Sequence, residues 1–145
     1  MSKVEDFLTA EQEQAIVSAI KTAEKNTSGE IRVHIEKSTE KPPMDRALEV
    51  FYFLKMDLTD LKNGVLIYVA VESKKFAILG DEGINKLVPE NFWDNEKNIL
   101  LAHFKNKEYT LGLEKTILEV GNKLKQFFPY QSDDTNELSD EISKG

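Results

Sequence analysis

The sequence has no cysteine, which at once excludes disulfides, thiolate zinc centres, iron–sulfur ligation and cysteine nucleophiles. Histidine is scarce too: His34 and His103 are the only two, so a zinc pair would have to use both. No stretch approaches the roughly 18 apolar residues of a membrane-spanning helix. The longest apolar run, residues 65–71, has the length of a strand. Basic residues are in the minority, 19 against 26 acidic, for a net charge of -7. That balance argues against nucleic acid or a polybasic membrane surface and favours cations or positively charged partners. There is no Walker-type loop, no Gly-x-Gly-x-x-Gly and no Asp-x-Asp-x-Thr, so familiar phosphoryl chemistry lacks its motifs. The inventory allows a serine–histidine–acid triad, but the Gly-x-Ser-x-Gly elbow is missing. The opening residues carry acids where a secretory signal needs a positive start, so a cytoplasmic, soluble protein is expected.

What is present fits one domain of 145 residues. Thr9 and Gln12 have capping-box spacing, and Ile16, Ala19, Ile20 and Ala23 then share a helical face, predicting a helix over 10–25. After the turn residues 26–29, Ile31, Val33 and Ile35 alternate with polar neighbours as a strand with one buried face. Pro42 and Pro43 open a second helix that ends near residue 55 or 56. Residues 65–71 read as a central strand covered on both faces, and 75–79 return antiparallel to it before Gly80 to Gly83 stop them. Pro89 suits the first turn of a helix reaching Phe104, and Leu113, Ile117, Val120, Leu124 and Phe127 step 4, 3, 4, 3 along a long amphipathic helix. Phe92, Trp93, Phe104 and Phe127 are expected in the core. His34, on a polar strand face, and His103, in a helix, are expected to be solvated. Residues 131–145 hold five acids against one lysine, with only Leu138 and Ile142 as large apolar residues. Such a tail is expected to be disordered, which sets the domain at 1–130.

This order of elements predicts an α/β sandwich. The crossover through the second helix makes the first two strands parallel and the hairpin makes the third antiparallel. Glu30, Asp57, Asp60, Asn63, Asp81 and Glu82 are therefore expected at one edge of the sheet. Carboxylates gathered there repel unless solvated or neutralised by a cation. Oxygen ligands without imidazole or thiolate point to calcium or magnesium, although the spacing is not that of an EF-hand. The competing reading is that these residues cap helix ends and fill turns.

Ser28-Gly29-Glu30-Ile31, Asn63-Gly64-Val65-Leu66-Ile67, Gly80-Asp81-Glu82-Gly83-Ile84 and Phe104 to Tyr109 with Gly112 together resemble the TPM domain over about residues 7–129. The resemblance implies a three-layer α/β/α sandwich, Rossmann-like, with a small mixed central sheet of about four strands, one more than the residues alone place. It also implies an acidic cleft falling on Asp57, Asp60, Asn63, Asp81 and Glu82, with Glu30 at its rim, since relatives in the thylakoid lumen look like divalent-ion binders and acid phosphatases. The expectation is a stand-alone, monomeric TPM-like domain that binds calcium or a similar divalent ion in a regulatory or accessory role. The alternatives are a metal-dependent phosphomonoesterase and a protein-interaction module.

Overall fold

The computed structural model describes residues 8–130 and 138–144. The first helix, α1 (Ala10–Glu24), starts at the predicted capping box: Gln12 N donates to Thr9 Oγ1 at 3.1 Å and Thr9 N donates to Gln12 Oε1 at 2.8 Å. Strand β1 (Glu30–Glu36) follows, then α2 (Pro43–Phe53), a single 3₁₀ turn (Met56–Leu58) and β2 (Gly64–Ala70). Strand β3 (Lys75–Gly80) leads into a short helix α3 (Glu82–Asn85), and then come α4 (Asp94–Lys105) and α5 (Tyr109–Phe127). The last element is β4 (Ser143–Lys144). No helix among the described residues is long and apolar enough to cross a membrane.

The sheet order is β3-β2-β1-β4, with β1 parallel to β2 and β4 and with β2 antiparallel to β3. Alternation along the strands divides the core in two. Ile31, Val33, Ile35, Val65, Ile67, Val69 and Ile78 face the layer of α1, α4 and α5. Leu66, Tyr68, Ala70 and Ala77 face α2. Every residue of β2 is buried, which is why its sequence runs apolar without alternation. The three-layer sandwich with a four-stranded mixed sheet is the expected one.

The structure corrects several local readings. The helix expected from Pro89 begins at Asp94, because residues 89–93 form turns closed by Phe92 N to Pro89 O at 3.1 Å and Asp94 N to Asn91 O at 3.1 Å. Gly80 to Gly83 do not merely end a strand: Asp81 caps α3. Phe127 is 39% exposed, whereas Trp93 is buried as expected. The fourth strand comes from the segment expected to be disordered. Residues 131–137 lie outside the described residues, but Ser143 and Lys144 pair with His34 and Ile35 of β1. Leu138 and Ile142 pack against the two cores. Polar anchors join them: Leu138 N to Glu30 Oε1 at 2.6 Å, the His34–Ser143 contact at 2.9 Å, and Lys144 Nζ to Glu13 Oε1 at 2.5 Å. An argument from apolar area alone misses them.

Candidate functional site

Strand register builds the acidic edge. Glu30 of β1 lies opposite Gly64 of β2, whose neighbour Val65 lies opposite Gly80 of β3. The loop before β2 is held against β1 by Glu30 N donating to Asn63 O at 3.3 Å, and Asp81 N donates to Gly64 O at 2.9 Å. The starts of β1 and β2 and the end of β3 therefore share one edge, as the topology predicts. Left-handed backbone at Lys55 (φ 59°) and Lys62 (φ 52°) brackets the loop that carries Asp57 and Asp60. Gly83 is pressed against that loop: a Cβ there would stand 2.3 Å from Leu61 O and 2.4 Å from Lys62 O.

The six expected residues do not form one cluster. Asp81 is buried, with Oδ1 accepting from Glu82 N at 2.7 Å and Oδ2 lacking a partner among the described residues. Burial pushes its carboxyl above the ordinary range, Glu82 and Asp57 push in the same direction, and the Glu82 amide and Lys62 oppose them. Asn63, 2% exposed, likewise leaves its amide nitrogen without a partner. Asp57 is half-buried, while Asp60 and Glu82 are exposed. Lys62 donates its ammonium to the Asp57 carbonyl, placing a positive charge within the loop.

Glu30 belongs to a different group. Buried at 4% exposure, it accepts from Leu138 N, and it lies near Glu24. The Glu24 carboxyl, which accepts from Ile31 N at 3.0 Å, is pushed up to about 9 by burial, by its hydrogen bond with Asp140 and by the charges of Asp140 and Glu30. Among the described residues, no group of three or more acidic or imidazole side chains has the geometry to hold a metal ion. The expected convergence is thus divided between an Asp81–Glu82–Asp57 side and a Glu30–Glu24–Asp140 side, with Asn63 joined through its backbone to Glu30.

The opposite end of β1 carries a network that pattern reading did not find. His34, expected to be solvated, is 5% exposed. Glu36 accepts from Arg46 through Nε and Nη2, both at 2.9 Å, from the Tyr68 hydroxyl and from His34 Nε2 at 3.1 Å. With Nε2–H donating to Glu36, His34 Nδ1 accepts from the Ser143 hydroxyl at 2.9 Å. The His34 ring also stacks on Tyr68, centroids 6.0 Å apart. Burial alone would raise the Glu36 carboxyl, but Arg46, Tyr68 and His34 outweigh it and hold the group at about 2. Ser143, His34 and Glu36 stand in series as hydrolase triads do, yet the arrangement makes a poor base. Arg46 neutralises Glu36, and burial holds His34 below its ordinary range. The series instead clasps β4 to β1. Period-2 alternation marks His34 and Glu36 as one face of a strand, but their partners lie 10 to 109 residues away.

The family model described as the TPM domain matches residues 1–123. The NMR structure of the BA42 protein from the psychrophilic bacterium Bizionia argentinensis is similar over 100% of both chains, with 56% identity and a TM-score of 0.92. The solution NMR structure of the N-terminal domain of a protein from P. gingivalis is similar in fold, with a TM-score of 0.68 and 18% identity over 86% of this chain and 82% of that one. No curated protein matches the chain.

Proposed function

Because the chain belongs to the TPM domain family, we propose that it is a cation-responsive accessory domain, binding calcium or a similar hard divalent ion at the Asp81 side of its acidic edge. The observation that carries this reading is the unpartnered Oδ2 of buried Asp81. A buried carboxylate oxygen without a donor is costly, and a cation would relieve that cost. Asp81 would be the anchor, with Asp57 and the Asn63 amide oxygen as its complements; Asp60 and Glu82, at the exposed rim, would raise the local ion concentration. Glu30 is spent on the 138–144 segment and stands aside.

A bound divalent ion supplies positive charge that neutralises facing carboxylates, and it would retain several waters with so few protein ligands. This chain's own contribution is to tie the 57–63 loop to α3, which Gly83 already brings into backbone contact. The Lys62 ammonium competes for the same charge, so weak binding is expected, on the order of 10⁻⁴–10⁻³ M. Calorimetric and amide-shift titrations with calcium and magnesium should show saturable changes at residues 57–63 and 80–83. Asp81→Asn, which preserves the cap of α3, should weaken binding at least 10-fold. Equal affinity in wild type and Asp81→Asn would refute this placement.

A further inference from the structure

At the other end of the sheet, between the β2–β3 hairpin and the α4–α5 junction, lies an open cavity of about 410 Å³, within the range of small-molecule pockets. Its floor is apolar: Phe76, Phe104 and Tyr109 pack edge to face, with Leu101 at the mouth and 49% exposed. Its rim is cationic. Lys74, Lys105 and Lys107 line it, all three exposed, and among the described residues none stands within ion-pair distance of a carboxylate. The neighbouring acids are engaged elsewhere, Glu72 with Lys37 and Glu108 with His103. Lys75 also borders the cavity, but its ammonium is directed to the Thr39 and Lys41 carbonyls, each at 3.4 Å. Lys74 (φ 54°) and Lys107 (φ 60°) hold left-handed backbone at the two turns that frame the mouth.

In a chain of net charge -7, three lysines around an apolar cavity with no ion-pair partner among the described residues run against the overall balance. We propose that this cavity binds a medium-chain aliphatic carboxylate, its chain over Leu101 and the aromatic floor and its head among Lys74, Lys105 and Lys107. Inorganic anions would leave the floor uncovered, and a neutral apolar ligand would leave the ammoniums without a counter-charge. The ring planes are inclined by 76° and 70° to one another, so they offer no parallel pair of faces to clamp a flat base. A flexible chain follows such a floor.

The test is an amide-shift titration of the full chain with octanoate, octan-1-ol and inorganic phosphate, kept below micelle-forming concentrations. Octanoate should give saturable shifts centred on residues 69–76 and 101–109, bind about 10-fold more tightly than octanol, and not be displaced by phosphate. The double variant Lys105→Gln/Lys107→Gln, altered only at exposed positions, should weaken octanoate about 5- to 10-fold and leave octanol unchanged. Shifts centred elsewhere, no saturation, equal binding of octanoate and octanol, or an undiminished octanoate affinity in the double variant would each overturn the assignment. Because the cavity and Asp81 occupy opposite ends of β2 and β3, the carboxylate and cation titrations report on separate amides.

Discussion

Glu36 shows how far one side chain can organise a fold. Its two oxygens receive four donors from β1, β2 and α2, so the charge is buried without being left alone. Because Arg46 is about one-third exposed, water already screens part of the pair, and the loss on neutralising Glu36 falls below that of a fully buried bridge. Glu36→Gln should therefore cost about 2 kcal/mol at pH 7, measured by urea unfolding. Tyr68→Phe, which deletes one donor and keeps the ring against His34, should cost about 1 kcal/mol. Since the folded value of Glu36 is about 2, the wild-type advantage over Glu36→Gln should shrink as pH falls from the ordinary 4.5 toward 2. An advantage of constant size down to pH 2 would show that the carboxylate charge is not what the network uses. Pattern alone leaves His34 on a polar face: alternation tells which face a residue occupies, whereas Arg46 of α2, Tyr68 of β2 and Ser143 of β4 decide whether that face is wet.

Among the elements, α3 and the loop before β2 are joined through Gly83, where backbone replaces side chain at the contact. The two carbonyls that a Cβ would meet, Leu61 O and Lys62 O, cannot rotate away as a side-chain tip would. Gly83→Ala should destabilise the protein by about 2–3 kcal/mol and move the amide signals of residues 59–63. Gly64→Ala is the control, because its nearest neighbour would be 3.4 Å away, and it should cost under about 1 kcal/mol. Equal losses would mean that glycine's flexibility, rather than the close approach, sets the cost. The helices with an apolar stripe and the all-apolar β2 were legible in the sequence, since burial on one or both faces leaves a periodic trace. The Asp57-to-Asn63 loop and the Gly80–Gly83 turn were legible as an edge because parallel and antiparallel connections fix which strand ends coincide. The division of that edge was not, because Glu30 is claimed by Leu138, and backbone hydrogen bonds to a distant segment leave no pattern in composition. The start of α4 was misread because Pro89 is equally at home in a turn.

In the molecule as a whole, the returning 138–144 segment holds two pH-sensitive groups, Glu24 through Asp140 and His34 through Ser143, while Glu36 and Asp81 have their partners elsewhere. Glu24, raised from 4.5 to about 9 first by burial and then by Asp140, binds a proton more tightly folded than unfolded. Its contribution is complete below 4.5 and is lost as pH climbs toward 9. Asp81, raised by burial, acts in the same direction. His34, lowered by burial, and Glu36, held at about 2, act in the opposite direction: the one withdraws stability as pH falls below its ordinary 6.5, the other below 4.5. Stability should therefore be greatest between about 4.5 and 6.5. It should decline above that range by no more than about 1.4 kcal/mol per pH unit for each proton involved. Deleting residues 138–145 separates the contributions. It removes Asp140 from Glu24 and Ser143 from His34, while Arg46 and Tyr68 remain on Glu36 and Asp81 keeps its own surroundings. The shortened chain should be less stable throughout, with a flatter decline above pH 6.5 and with the Glu36 limb near pH 2–4.5 retained. Glu24→Gln in the full chain should flatten the same alkaline limb without releasing β4, measured as amide exchange at residues 34–35. A full-length Glu24→Gln protein whose stability still falls as steeply as wild type between pH 6.5 and 9 would assign the alkaline limb to another group.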